Sequence, residues 1–171
     1  PLLISDLPVF LRWRGDLPFD EPELAQLVGV ADRLIVDARE WSDADAGLER
    51  LPSVFDRVAV SDIAWDRTEP WREAIAQRWP EIADVRELRV VGPRAEALLL
   101  AGWLRSRLAR EIELEHEPGE EIAEVEADGE EIQVVRRGSR SPSDLLSDQL
   151  DVFCRHPVYE EAVRGFSSVP A

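Results

Sequence analysis

The feature that most constrains this 171-residue sequence is an alternation of two hydrophobic periods over its first 110 residues. Segments with helical spacing separate strand-like apolar runs, which lie at about 7–13, 33–37, 57–61 and 87–91. Four successive strand–helix units are typical of a parallel sheet with right-handed crossovers. The alternation therefore predicts an α/β fold of the Rossmann-like, three-layer kind, in which an open, mostly parallel sheet carries helices on both faces.

Helix-starting residues mark the segments between the strands and predict helices that begin near positions 20, 42, 68 and 94. In the third segment Thr68 is the expected N-cap, and Pro70 fits the first turn. Trp71, Ile75 and Trp79 recur at helical spacing and form one stripe. Because it shares this stripe, Trp71 is expected to lie in the core.

The pattern changes after residue 110. Residues 111–116 alternate like a fifth strand, and 121–136 surround Asp128-Gly129, a pair that favours a two-residue hairpin turn. Residues 141–166 carry the punctuation of terminal helices. We expect a single α/β domain over 1–171, with four strand–helix units in 1–110, a strand and an edge hairpin in 111–137, and terminal helices in 141–166.

The charge balance excludes several classes of partner. The chain has 36 acidic and 20 basic residues, a formal net charge of −16, so neither nucleic acid nor an anionic membrane is an expected partner. We find no apolar run long enough to span a bilayer and no basic n-region of a signal peptide. The single cysteine, Cys154, cannot form an internal disulfide, which indicates the reducing cytoplasm. The acidic stretch 111–131 is interpreted as solvated strand edges, with a site for a metal ion or for a basic partner as the alternative.

The motifs of common enzymes are missing from the sequence. It contains no dinucleotide-binding glycine pattern, no phosphate-binding loop and no nucleophile elbow. His116 and His156 have no second ligand at metal-binding spacing. Asp37 and Asp62 could form an acid–base pair only if a nucleophile accompanied them, and none is evident. We therefore expect no cofactor, no metal site and no catalytic activity.

The predicted carboxyl ends of the first three strands carry a concentration of tryptophan and arginine, which we call the rim. Loops at this end of a parallel sheet are the usual place for ligands and partners. Tryptophan and arginine are also the side chains most enriched in protein-binding hot spots. The candidate partner-binding residues of the rim are Arg12, Trp13, Arg14, Arg39, Trp41, Asp62, Trp65, Arg67 and Arg72.

Three interpretations of the rim are open at this stage. Its aromatic residues could cap the core, its surface could bind a protein, or Arg14, Arg39 and Arg67 could hold a small anion. If a protein binds there, Trp65, Arg67 and Arg72 are the residues expected to be exposed.

Four segments combine aromatic, basic and acidic residues at fixed spacings. They are Leu7-Pro-Val-Phe-Leu-Arg-Trp-Arg-Gly15, Asp32-Arg-Leu-Ile-Val-Asp37-Ala-Arg39, Ser61-Asp-Ile-Ala-Trp65-Asp-Arg67-Thr68-Glu-Pro-Trp71-Arg72 and Ala101-Gly-Trp103-Leu104. Together they resemble the C-terminal region of the glucose-6-phosphate dehydrogenase assembly protein family, OpcA, and the third segment is the most specific. The departures are Arg12 in place of the first tryptophan of a pair and Ala38 in place of a serine.

The resemblance implies a non-catalytic partner that binds glucose-6-phosphate dehydrogenase and promotes its assembly, or its activity as an allosteric activator, in the bacterial oxidative pentose phosphate pathway. It also implies that the chain is the C-terminal domain of a longer protein. The alternative from another class is a sugar-phosphate or nucleotide-binding α/β domain, in which the rim arginines bind the anion.

Overall fold

Two sheets and a set of short helices make up the fold in a computed structural model, which describes residues 7–134 and 155–167. The first sheet contains β1 (Phe10–Arg12), β2 (Arg33–Val36) and β3 (Ala59–Asp62), all parallel and in that spatial order. All four residues of the central strand β2 are buried, because β1 and β3 flank it and packed side chains cover both of its faces. The parallel arrangement predicted for these three strands is confirmed.

The crossovers of the first sheet are short helices. They are α1 (Pro22–Val28), a 3₁₀ turn (Ala38–Glu40), α2 (Ala44–Arg50) and α3 (Pro52–Phe55). The carboxylate of Asp43 accepts a hydrogen bond from the amide of Ala46 at 2.9 Å and so caps the start of α2.

Helix α4 (Ile63–Arg67) follows β3 directly and precedes α5 (Glu69–Ala76). Thr68 is the N-cap residue of α5, as predicted, but its side chain makes no capping hydrogen bond to that helix. Thr68 has helical backbone angles because it also ends α4, and its hydroxyl donates a hydrogen bond to the carbonyl of Trp65 at 2.7 Å.

The second sheet contains β4 (Glu87–Gly92), β5 (Glu113–Pro118), β6 (Glu124–Ala127) and β7 (Glu130–Glu131). Its order is β5-β4-β6-β7, with β4 parallel to β5 and antiparallel to β6. The turn between β6 and β7 has positive φ at Asp128 and Gly129, the backbone conformation that this residue pair tolerates. The hairpin predicted at a sheet edge is confirmed.

The prediction of one sheet containing all four early strands is wrong, because β4 lies in the second sheet. The chain is α/β, and its parallel strands are divided between two sheets instead of forming one Rossmann-like layer. Burial explains the separation. Leu88 and Val90 of β4 are buried while Glu87 and Arg89 face outward, so β4 suits a sheet covered on one side only.

Helix α6 (Arg94–Leu108) and helix α7 (Pro157–Ser167) pack against each other, and α6 lies between the second sheet and the helices that accompany the first sheet. Residues 95–104 of α6 are all buried, because α6 contacts β4 and β5 on one side and α2, α4 and α7 on others. The helices α6 and α7 approach closely at Gly102, where a Cβ atom would overlap the carbonyl oxygen of Ala162. Among the described residues, no helix is both long and apolar enough to cross a membrane.

The closing helix predicted through Tyr159 to Val163 is confirmed as part of α7. The helix predicted to begin near residue 141, and Cys154 after it, lie outside the described residues.

Candidate functional site at the carboxyl ends of the parallel strands

The carboxyl ends of β2 and β3 hold a cluster of buried charged groups. Asp37 follows β2, and both of its carboxylate oxygens accept hydrogen bonds from the guanidinium of Arg67 on α4, at 2.7 and 2.8 Å. The Arg67 side chain is 17% exposed and that of Asp37 is 6% exposed. Burial lowers the pKa of Arg67, but the hydrogen bonds and charge of Asp37 outweigh it and leave that pKa above its usual value. The bidentate geometry makes this pair a rigid bridge between β2 and α4.

Glu96 extends the cluster from the first turn of α6. Its side chain is fully buried, and Oε1 accepts a hydrogen bond from Nε of Arg39 at 2.6 Å. Nη1 of Arg67 lies 3.8 Å from the same oxygen, whereas Oε2 has no hydrogen-bond partner. Burial raises the pKa of Glu96, and the charge of Arg39 opposes that rise. With Asp37, these residues form a neutral network of two carboxylates and two guanidinium groups.

Asp62 is the last residue of β3 and the N-cap of α4. Its Oδ1 accepts hydrogen bonds from the amides of Ala64 at 2.9 Å and Ala38 at 3.0 Å, and its Oδ2 accepts one from the hydroxyl of Tyr159 at 3.2 Å. Burial, reinforced by the negative charges of Asp37 and Glu96, raises its pKa to about 8. The carboxyl of Asp62 therefore binds a proton more tightly than an exposed aspartate does, and it joins three elements.

Trp65 stands behind Asp62 on α4, and its side chain is only 2% exposed. The guanidinium of Arg72 stacks 3.6 Å from the centre of its ring, and the rings of His156 and Tyr159 pack against it at 5.9 and 5.7 Å. Nε of Arg72 also donates a hydrogen bond to the hydroxyl of Thr68 at 2.9 Å. Burial lowers the pKa of Arg72 to about 10. The indole Nε1 of Trp65 has no hydrogen-bond partner.

The other rim residues lie along the end of β1. Arg14 is 73% exposed, and its guanidinium pairs with Glu40, which also lies 4.0 Å from Arg12. The half-buried Trp13 donates a hydrogen bond from its indole to the carbonyl of Asp16 at 3.0 Å. The rim therefore presents its accessible surface at this end.

Trp41, by contrast, is buried. Its ring lies so close to Gly47 that a Cβ atom there would overlap it.

The expectation that Trp65, Arg67 and Arg72 are exposed is wrong for Trp65 and Arg67. Trp65 belongs to the core, Arg67 is largely buried in its pair with Asp37, and Arg72 is half-buried on the Trp65 ring. Trp71 is half-buried and packs against the core, so the core position predicted for it is confirmed in part. Trp65 and Arg67 are less exposed than predicted because they lie on the additional helix α4, which directs side chains between β3 and Thr68 into the fold.

Sequence reasoning missed Glu96 and Tyr159 as members of the cluster. Glu96 is the single acidic residue in the apolar run of α6, and a charge at such a position is a signal that could have identified it. Tyr159 has no comparable signal, because its contact with Asp62 depends on how α7 packs.

The cluster favours a structural role over chemistry on a ligand. Arg14, Arg39 and Arg67 each pair with a carboxylate, which neutralises their positive charge. This pairing argues against the interpretation that these arginines hold a small anion. A shallow cavity of about 260 Å³ adjoins the cluster and is lined in part by Arg39, Trp41 and Arg94, but Arg94 is held by Asp45 at 2.7 Å. Within residues 7–134 and 155–167 there is no group of three or more side chains that could hold a metal ion.

Comparison with protein families defines the class of this chain. Residues 58–163 match the family model described as the C-terminal domain of the glucose-6-phosphate dehydrogenase subunit. Residues 1–53 match the model described as the N-terminal domain of the same protein. Because the first match alone covers more than half of the chain, the chain belongs to the glucose-6-phosphate dehydrogenase assembly protein family, OpcA, and the predicted family is confirmed. The boundary between the matches falls inside the first sheet, where β2 pairs with β3.

Similar proteins carry the provisional name OxPP cycle protein OpcA. The one from Nostoc punctiforme is 32% identical over 117 residues, which are 63% of this chain and 25% of that protein. Those from Synechocystis and Synechococcus elongatus are 26% and 27% identical, over 69% and 63% of this chain and 27% and 26% of their own lengths. This chain therefore matches only about a quarter of the length of these relatives.

Proposed function

We propose that this chain is an α/β domain of a larger, non-catalytic protein that binds glucose-6-phosphate dehydrogenase and promotes its assembly or activity. The observation that carries this proposal is the family match over residues 58–163. The names of the relatives support a role in the oxidative pentose phosphate pathway. A lone cysteine and the acidic balance support action in the cytoplasm, without nucleic acid or membrane as partner.

The chemistry of the rim supports binding over catalysis. The carboxylates that could act as acid or base are engaged in holding elements together: Asp37 with Arg67, and Asp62 with two backbone amides.

We propose that the accessible part of the rim touches the dehydrogenase. Arg14 supplies exposed surface at the end of β1, the half-buried Trp13 lies beside it in the chain, and Arg72 is held by its stack on Trp65. The buried members, Asp62, Trp65 and Arg67, act as supports for that surface. An arginine fixed by stacking loses little conformational freedom when it pairs with a partner carboxylate.

Co-purification with the cognate dehydrogenase tests the proposal. We expect the full chain to form a complex and to raise the fraction of assembled or active dehydrogenase, while the purified chain alone converts no glucose 6-phosphate with NADP. Arg14→Ala should weaken the complex by about 1 kcal/mol without lowering the melting temperature. Failure of the wild-type chain to bind, or turnover by the chain alone, would contradict the proposal.

A further inference from the structure

The strand β5 ends the second sheet, and its outer edge pairs with no other strand among the described residues. With six residues, β5 is the longest of the four strands that end the two sheets, since β1, β3 and β7 contain three, four and two residues. A free edge presents backbone groups to which the strand of another chain can add. Strand addition at β5 could therefore form more backbone hydrogen bonds than at any other sheet edge in the described part of the chain.

The backbone of β5 shows which groups face the free edge. The amides of Glu113 and of Gly119, just after the strand, donate hydrogen bonds to carbonyls on the β4 side at 2.8 and 3.1 Å. Because the pattern in a parallel pair repeats every two residues, the amide and carbonyl groups of Leu114 and His116 face away from β4. Two donors and two acceptors thus have no partner strand within residues 7–134 and 155–167.

The side chains of β5 give its free edge one negative face and one apolar face. Glu113, Glu115 and Glu117 are exposed and alternate with half-buried residues, so their carboxylates share the outward face of the strand. Glu117 pairs with Arg89 at 2.8 Å, whereas Glu113 and Glu115 form no ion pair with any residue that the structure describes. On the opposite face, Leu114 packs against the core.

These charges select among the strands that could add to β5. A second copy of this chain, paired through its own β5, would place carboxylates beside carboxylates, and like charges directly opposite each other destabilise a sheet. Lysine or arginine in the same positions would form cross-strand pairs of opposite charge. The apolar face around Leu114 favours an apolar neighbour. An extended segment in which basic and apolar residues alternate therefore fits this edge.

We propose that β5 binds such a segment of a partner protein by strand addition. The backbone groups of Leu114 and His116 bond to the added strand, and the basic side chains of that strand pair with Glu113 and Glu115. In strand addition the main-chain hydrogen bonds supply affinity and the side chains supply selectivity. The inference concerns the chemistry of the bound segment and does not depend on the proposed function.

Amide hydrogen exchange tests the proposal at individual residues. The probe is the hexapeptide Val-Lys-Val-Lys-Val-Lys, added to the full ¹⁵N-labelled chain. We expect exchange at Leu114 and His116 to slow about tenfold at saturation, because the added strand would accept hydrogen bonds from their amides. Exchange at Glu115, whose amide faces β4, should change less. Unchanged exchange at Leu114 and His116 would overturn the inference.

Two control peptides separate strand addition from simple attraction between charges. Lys-Lys-Lys-Val-Val-Val has the same composition without the alternation, and Val-Glu-Val-Glu-Val-Glu has the alternation with the opposite charge. Neither peptide should protect the amides of Leu114 and His116. Equal protection by either control would contradict the proposed pairing.

Substitution of the carboxylates provides the second test. Glu113→Gln combined with Glu115→Gln should weaken binding of Val-Lys-Val-Lys-Val-Lys about fivefold. Glu49→Gln combined with Glu81→Gln is the matched control, because it removes the same charge at two exposed positions outside the second sheet and should leave binding unchanged. If both double variants weaken binding equally, the net charge of the chain attracts the peptide and the inference is wrong.

Discussion

The hydroxyl of Tyr159 donates a hydrogen bond to Asp62 at 3.2 Å, although the two residues are 97 positions apart. The bond attaches the last helix, α7, to the end of β3. The other oxygen of Asp62 is held by the amides of Ala38 and Ala64, so a single carboxyl fixes the relative positions of three elements.

Tyr159→Phe should lower the free energy of unfolding by about 1–3 kcal/mol, because it leaves the buried Oδ2 of Asp62 without its donor. Urea denaturation measures the change. The double variant with Asp62→Asn completes a cycle that isolates the contribution of this pair. Additive effects of the two substitutions would mean that the hydrogen bond does not couple α7 to β3.

Stability should depend on pH through Asp62. Its pKa is raised from 3.8 to about 8 in the folded protein, chiefly by burial, so the folded state retains a proton that the unfolded chain releases above pH 4. The contribution of this bound proton to the free energy of unfolding is complete below the pKa of Asp62 in the unfolded chain, and it is lost as the pH rises through about 8.

Asp62→Asn provides the comparison for this pH dependence because asparagine does not titrate. We expect the unfolding free energy of the wild-type chain to fall relative to that of Asp62→Asn between pH 5 and 8, by at most about 1.4 kcal/mol per unit, and then to level off. Parallel pH profiles of the two proteins would contradict the raised pKa.

Arg67→Ala should destabilise the domain by about 3–5 kcal/mol, because it leaves the buried carboxylate of Asp37 unpaired. Arg14→Ala is the matched control. Its ion pair with Glu40 is exposed and should contribute less than about 1 kcal/mol. Equal melting temperatures for the two variants would show that the Asp37–Arg67 pair contributes no more to stability than the exposed Arg14–Glu40 pair does.

Gly102→Ala should destabilise the chain by about 1–3 kcal/mol, because its new methyl group would overlap the backbone of α7. Alanine is the better helix former by about 1 kcal/mol, so propensity alone predicts the opposite sign. Thermal unfolding decides between them. A higher melting temperature for Gly102→Ala would mean that α6 and α7 are not closely packed at this point.

Local signals in the sequence were sufficient for several elements. The alternation of periods predicts β1, β2 and β3 and their parallel order, because each strand is a short apolar run followed by a helix. Asp128-Gly129 predicts the edge hairpin, because few residue pairs tolerate the positive φ angles of its turn. The spacing of tryptophan, arginine and aspartate over residues 61–72 predicts the family.

What the tertiary structure alone decided is the pairing of distant groups. β4 carries the same strand signal as β3, yet it joins the second sheet, where Leu88 and Val90 are buried and Glu87 and Arg89 lie on the outward face. The composition of the rim could be read from the sequence, but its exposure could not. Whether Trp65 reaches solvent depends on the packing of α4 and α7, and packing free energy depends on neighbours that lie far away along the chain.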